Sequence, residues 1–213
     1  GDTYVGWNWK AGTTGSGTTT GSGTGKAYSY SVNTTAGFSI IKYLGNGTSG
    51  HTIPHHLGAT PAMIIVKNLD TNPMDWSVYH KDVASANTRR LRLNSNDYYN
   101  TDSSYWNDTS PSSTVFTVGS STSTNSNDVN MIAYCFAEIP GYSKIGGYTG
   151  NENANGPFIY TGFKPSIIII KKATSGTSQN WRILDNKRLG YNVNNYPLYP
   201  SASVVEGTSE TVL

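Results

Sequence analysis

Cysteine occurs once in the 213 residues, so no internal disulfide braces this chain. Cys135 lies beside Phe136 in the apolar run Met131 to Ala137 and reads as a small buried hydrophobe rather than a reactive thiol. Charge is scarce as well. Asp, Glu, Lys and Arg make up 13% of the residues, against about 25% in an average globular protein, and the formal net charge is +2. That balance does not suit electrostatic capture of nucleic acid, which needs clustered Lys and Arg. No apolar run approaches the roughly 18 residues of a membrane helix; Met131 to Ala137 is the longest and has strand length. No secretory leader is visible, and an opening Gly1 instead of Met leaves room for processing or truncation.

Catalytic patterns are missing in the same way. There is no Gly-x-Ser-x-Gly, and Gly15-Ser16-Gly17 and Gly21-Ser22-Gly23 lack the helix that a phosphate loop requires. Asp70, Asp75, Asp82, Asp97, Asp102 and Asp108 are scattered through turns, where Asp bonds its own backbone. His51, His55 and His56 sit in a Pro- and Gly-bounded strand or turn, where an i, i+4 pair does not share a helical face. The expectation is therefore no catalytic residue, no metal and no cofactor.

What the chain has in abundance is Gly, Ser, Thr, Asn and Tyr, the dress of extracellular and virion β-proteins. Short runs rich in Ile, Val, Tyr and Phe alternate with turn residues: Ala27 to Val32, Phe38 to Tyr43, Ala62 to Lys67, Trp76 to His80, Arg89 to Leu93, Thr114 to Val118 and Asn130 to Ala137. Further along come Phe158 to Tyr160, Ser166 to Lys171, Trp181 to Leu184 and Ser203 to Val205. Helical periodicity is nearly absent. The pattern predicts an all-β fold of antiparallel sandwich type, lectin-like or jelly-roll-like, with Ile167 to Ile170 as a central strand. Residues Gly12 to Gly25, built entirely from Gly, Ser and Thr, read as a linker or a long surface loop.

The chain also repeats itself. Gly58-Ala59-Thr60-Pro61 followed by Ala62 to Lys67 returns as Gly162-Phe163-Lys164-Pro165 followed by Ser166 to Lys171, and Trp76 returns as Trp181. The offset is 104 residues at the prolines and 105 at the tryptophans. A near-constant offset of this size indicates tandem units of about 105 residues. In each unit the proline fixes the backbone just before the strand begins, where its missing N–H does no harm. A third echo joins Tyr4 to Ala11 with Met131 to Glu138, so the chain divides into residues 1–26 (a closing strand of a preceding repeat plus linker), 27–140 (the first sandwich) and 141–213 (a second sandwich short at its C-terminal side). Either these residues belong to a longer repeat protein, or the leading strand, with Tyr4, Val5, Trp7 and Trp9, is exchanged between subunits as an assembly strand.

Two groups of aromatics invite a binding role. Trp76 and Trp181 hold equivalent positions and read first as core plugs, second as sugar platforms. Tyr98, Tyr99, Tyr105 and Trp106 lie in the polar stretch Asn94 to Ser113 and are candidate glycan contacts, since rings stack on sugar C–H faces while amides and carboxylates take the hydroxyls. Asn33, Asn46 and Asn107 each open an Asn-x-Thr acceptor pattern, which matters only in a host that glycosylates.

Tyr4 to Gly12, Thr35-Ala36-Gly37-Phe38-Ser39-Ile40, Trp106-Asn107-Asp108-Thr109, Ala133 to Glu138, Gly141-Tyr142-Ser143-Lys144 and Gly156 to Pro165 resemble a repeated domain of uncharacterised function found in virion proteins of marine and freshwater bacteriophages, of tail-fibre or lectin-like type. The resemblance spans nearly the whole chain outside the Gly/Thr stretch. It implies a non-enzymatic structural component on the virion surface or outside the cell, homo-oligomeric, meeting copies of itself, other virion proteins and a host surface glycan. The alternatives are a self-assembling extracellular fibre subunit working by strand exchange, and a polysaccharide depolymerase with paired carboxylates across a cleft.

Overall fold

The structure is a computed structural model and describes residues 6–153, 155–174, 176–188 and 196–204. Its elements are nearly all strands, in chain order β1 (Thr13–Thr18), β2 (Thr20–Gly21), β3 (Ala27–Asn33), β4 (Phe38–Leu44), β5 (His51–Pro54), β6 (Met63–Asn68) and β7 (Trp76–His80). There follow β8 (Arg89–Arg92), β9 (Asn100–Thr101), β10 (Val115–Val118), a single turn α1 (Thr122–Asn125), β11 (Asn130–Phe136), β12 (Ile167–Ile170) and β13 (Arg182–Asp185). The largest sheet is antiparallel, with order β1-β3-β4-β11-β6-β7-β8-β9. A second sheet runs β10-β5-β2, and β12 pairs with β13, whose Ile183 also bridges to Leu198.

Period-two patterning explains the layers. Along β11, Met131, Ala133 and Cys135 are fully enclosed while Ile132, Tyr134 and Phe136 on the other face are only partly so. The enclosed face meets Ile41, Tyr43, Ile64 and Val66 of the same sheet and Ile53, Phe116 and Val118 of the three-stranded sheet, so the two sheets share one core. Each fully buried aliphatic side chain there contributes about 1.5–3 kcal/mol. At one rim of this core Asn125 acts as a hub. Its Oδ1 accepts from the Asn46 N–H and from His51 Nδ1, both at 2.9 Å, and its Nδ2 donates to the carbonyls of Gly119 at 2.7 Å and Thr48 at 2.9 Å. His51 Nε2 lies 2.6 Å from Thr19 Oγ1, so one imidazole joins α1, β5 and the chain between β1 and β2.

The segment 12–25, expected as a linker or loop, is instead an edge hairpin. β1 pairs with β3 over six residues, with Gly15 opposite Tyr30 and Gly17 opposite Tyr28. A Cβ on Gly15 would stand 2.6 Å from Tyr30 Oη, and one on Gly17 would stand 2.9 Å from the Tyr28 ring. The two rings lie across the glycines, and the aromatic cover replaces the side chains that β1 lacks.

The second half of the chain also differs from expectation. Phe158 to Tyr160 form no strand, and Phe158 is 90% exposed. Ser203 and Val204 are not strand, and Val205 lies outside the described residues. Ile167 to Ile170, expected in the middle of a sheet, form one side of a two-stranded sheet, with Ile168 and Ile169 exposed. Trp181 docks on the outer face of the large sheet, in a cluster with Val78, Val83 and Leu91, and donates from Nε1 to the Arg92 carbonyl at 2.7 Å.

Candidate functional site

The four aromatics of the Asn94 to Ser113 stretch separate into two pairs. Trp106 is 1% exposed and meets Tyr79 edge-on at 5.8 Å, and Tyr105 is 7% exposed. The chain doubles back there, with the Gly119 N–H on the Tyr105 carbonyl and the Ser121 N–H on that of Ser104, which draws both rings under the end of β10. These two belong to the core and offer no face to a sugar. Tyr98 and Tyr99 behave differently. Tyr98 is exposed, Tyr99 is half-buried, and both line a cleft of about 240 Å³ with Arg90, Arg92, Asp97 and Asn100.

β8 builds the floor of that cleft. Arg90 and Arg92 stand two residues apart and so share a face of the strand. The Arg92 guanidinium is held by Asp75 at 3.1 Å through Nε and by Asp97 at 3.3 Å through Nη1. Arg90 is 93% removed from solvent, with 7% exposure, and its guanidinium lies 4.1 Å from the Tyr105 ring centre. Its nearest carboxylate oxygen is Asp75 Oδ2 at 3.9 Å, beyond hydrogen-bond reach, and Nε and Nη1 have no hydrogen-bond partner among the described residues. Burial therefore pulls its pKa below the usual arginine value. Arg89 covers the Tyr99 ring at 4.0 Å. From the second half of the chain Lys171 reaches in, its Nζ 3.1 Å from the Asn96 carbonyl; burial, partly countered by Asp97, lowers its pKa to about 8. Sequence reasoning singled out the tyrosines and missed the arginines. The legible signal was the basic alternation in Arg89-Arg90-Leu91-Arg92-Leu93, a strand that carries guanidinium groups on both faces.

The three clustered histidines serve the fold. His51 and His55 are fully buried, His51 in the Asn125 network and His55 facing the Ser112 carbonyl at 3.2 Å. His56 lies flat against Tyr30, ring centres 3.7 Å apart, and meets Tyr28 Oη at 3.0 Å through Nε2. Among the described residues no group of three His, Cys, Asp or Glu side chains is placed to hold a metal ion.

A second feature is the open side of β12. Two hydrogen bonds fix its relation to the first half: the Lys81 N–H donates to the Ala62 carbonyl at 2.9 Å, and the Asn186 N–H donates to the Ser166 carbonyl at 3.1 Å. These are the same bond at the sequence offset of 104 and 105. The pairing follows suit, for Met63 opposite His80 becomes Ile167 opposite Asp185, and Val66 opposite Ser77 becomes Ile170 opposite Arg182. In the first half the other side of β6 is taken by β11. In the second half nothing among the described residues pairs with that side of β12. Antiparallel alternation turns the backbone groups of Ile167 and Ile169 outward there.

Of the residues expected in an assembly strand, Tyr4 and Val5 lie outside the described residues. Residues 6–10 form no strand; Trp7 is half-buried, and Trp9 is 43% exposed with its ring 6.3 Å from Phe38 and 6.0 Å from Phe136. Trp76, expected as a core plug, is half-buried at the outer face, stacked on Tyr134 at 6.4 Å, while its counterpart Trp181 is buried.

Comparison with known proteins finds one relationship. The family described as a domain of unknown function (DUF7483) matches residues 1–212, running through both halves, and the chain belongs to that family. No curated protein and no solved structure matches.

Proposed function

We propose that this chain is a non-enzymatic structural protein of a bacteriophage particle, a tail fibre, appendage or capsid-associated fibre, built from two β-sandwich units and joined to copies of itself by strand addition. The observation that carries this reading is the vacant side of β12, in the register that β11 fills beside β6. Tyr4 to Ala11 echoes Met131 to Glu138 residue for residue in pattern, with aromatic Trp7 and Trp9 where β11 has Tyr134 and Phe136 and small Gly6 where it has Ala133. Laid on β12 in the β11 register, Trp9 falls opposite Ile167 and Trp7 opposite Ile169. Asn8 takes the place of buried Cys135, and since the second half shows no counterpart of the three-stranded sheet among the described residues, an amide there meets water instead of a core. A β-ladder supplied by another copy is the ordinary remedy for an exposed apolar edge.

A depolymerase needs two carboxylates facing across a cleft. The one that lines the Tyr98 cleft, Asp97, is tied to Arg92. Two single-cysteine variants test the assembly reading. Trp7→Cys in one copy and Ile169→Cys in another, mixed and oxidised, are expected to give a disulfide-linked dimer, and removal of residues 2–10 is expected to leave monomers in analytical ultracentrifugation. Oligomers that survive the deletion, with no cross-linked product, would sink it.

A further inference from the structure

We propose that the cleft between β8 and the Tyr98–Tyr99 turn is a binding site for a carboxylate-bearing saccharide, a sugar of the uronate class, with Arg90 as the group that receives the carboxylate. This inference does not depend on the assembly reading.

A guanidinium has five N–H donors, and native proteins give nearly all buried donors a partner. Arg90 is an exception at Nε and Nη1. It is buried, its Nε and Nη1 have no hydrogen-bond partner among the described residues, and its ion-pair neighbour Asp75 stands at 3.9 Å while that same carboxylate grips Arg92 at 3.1 Å. The Tyr105 ring supports the cation from one side without satisfying its N–H groups. A planar carboxylate entering the cleft fits the fork of the guanidinium and supplies the missing acceptors.

Local charge points the same way. Around the cleft stand Arg89, Arg90, Arg92, Lys171 and Lys172, five cations, against Asp75, Asp97 and Asp102, three carboxylates. That local excess of positive charge favours an anionic ligand. A bare anion would need only the cations. The remaining lining differs: Tyr98 shows an exposed ring, 44% accessible, and Asn100 and Asp97 offer an amide and a carboxylate at the rim. An aromatic face beside hydrogen-bonding groups of both polarities suits a hydroxylated ring carrying one acid group. The volume of about 240 Å³ admits one such residue, with the polymer continuing outside.

The probe is an oligomer of galacturonic acid, titrated calorimetrically against the full chain, with the neutral galactose oligomer of the same length as control. The acidic oligomer is expected to bind at least about tenfold more tightly than the neutral one, the worth of one charge-assisted bond. Affinity should fall as salt rises. Arg90→Gln should remove that preference. Because Arg90 is buried, Tyr98→Ala and Asn100→Ala serve as exposed variants that keep the fold, and each is expected to weaken binding severalfold. In the wild-type protein, backbone amide shifts on titration should centre on residues 97–100. Equal binding of the neutral oligomer overturns the proposal. So do acetate or sulfate competing as well as the sugar, which would mean a plain anion site, shifts that centre elsewhere, or no binding at millimolar oligomer.

Discussion

Trp106 shows at the level of one side chain how a polar setting misleads. It stands in Tyr105-Trp106-Asn107-Asp108-Thr109, among residues that belong to surfaces, yet it is among the largest fully enclosed side chains. Its Nε1 has no partner in the core, so the indole gives packing but leaves one donor unmade. Trp106→Ala is accordingly expected to cost about 3–5 kcal/mol in urea unfolding. Trp106→Phe, which keeps the ring contact with Tyr79 and deletes the orphaned N–H, should cost clearly less, about 1–2 kcal/mol. Equal losses for the two would show that ring volume is not what the site needs. Arg90 is the matching case among charged residues: in sequence it is one basic residue of a pair, and only its burial with Nε and Nη1 unpartnered singles it out.

Among the elements, β1 carries the sharpest test. The two glycines of β1 weaken its preference for the sheet, and the strand is held by the Tyr28 and Tyr30 rings that cross Gly15 and Gly17. Tyr30 in turn lies flat on His56. Gly15→Val raises strand propensity but pushes Tyr30 off that stack, and we expect a net loss of about 1 kcal/mol in thermal or urea melts. In a free linker the same change would be neutral. The central strands β4, β6, β7 and β11 were legible to within a residue or so, because apolar β-branched runs bounded by turn residues have few other uses. β1 was not legible, since what stabilises it belongs to β3. The position of Ile167 to Ile170 was misread for the converse reason: an apolar run announces a strand and says nothing about whether both neighbours are present. The Tyr98–Tyr99 half of the candidate site followed from composition. The arginine half depended on the pairing of β8 with β7 and on the return of the chain at Lys171, neither of which leaves a local mark.

For the molecule as a whole, acid is the revealing variable. Burial lowers the pKa of His51, His55, His56 and His80, that of His55 to about 4. A base whose folded pKa lies below its unfolded value of about 6.5 binds its proton more readily in the unfolded chain, so stability is whole above pH 6.5 and drains away as pH falls towards 4. His55 alone accounts for up to about 3 kcal/mol of that loss. Glu138 extends the loss to lower pH. Burial raises its pKa, but Lys81, the Ile145 N–H and Lys144 outweigh that and hold it at about 2, so its contribution disappears between about pH 4.5 and 2. Melting temperatures taken every half unit are expected to decline from pH 6.5 downward, and a flat profile between 6.5 and 4.5 would contradict the burial of the histidines. One feature of the sheets bears on where a further strand can add. The large sheet ends on one side in β1, which offers no apolar side chain, and on the other in β9, two residues long, so both margins discourage addition. On the proposed strand-addition reading, with the open side of β12 as acceptor and the leading segment as donor, each copy takes one neighbour and gives to one. Such valence permits a ring or a polar, unbranched chain whose length is set by whatever caps its last vacancy, and it forbids networks.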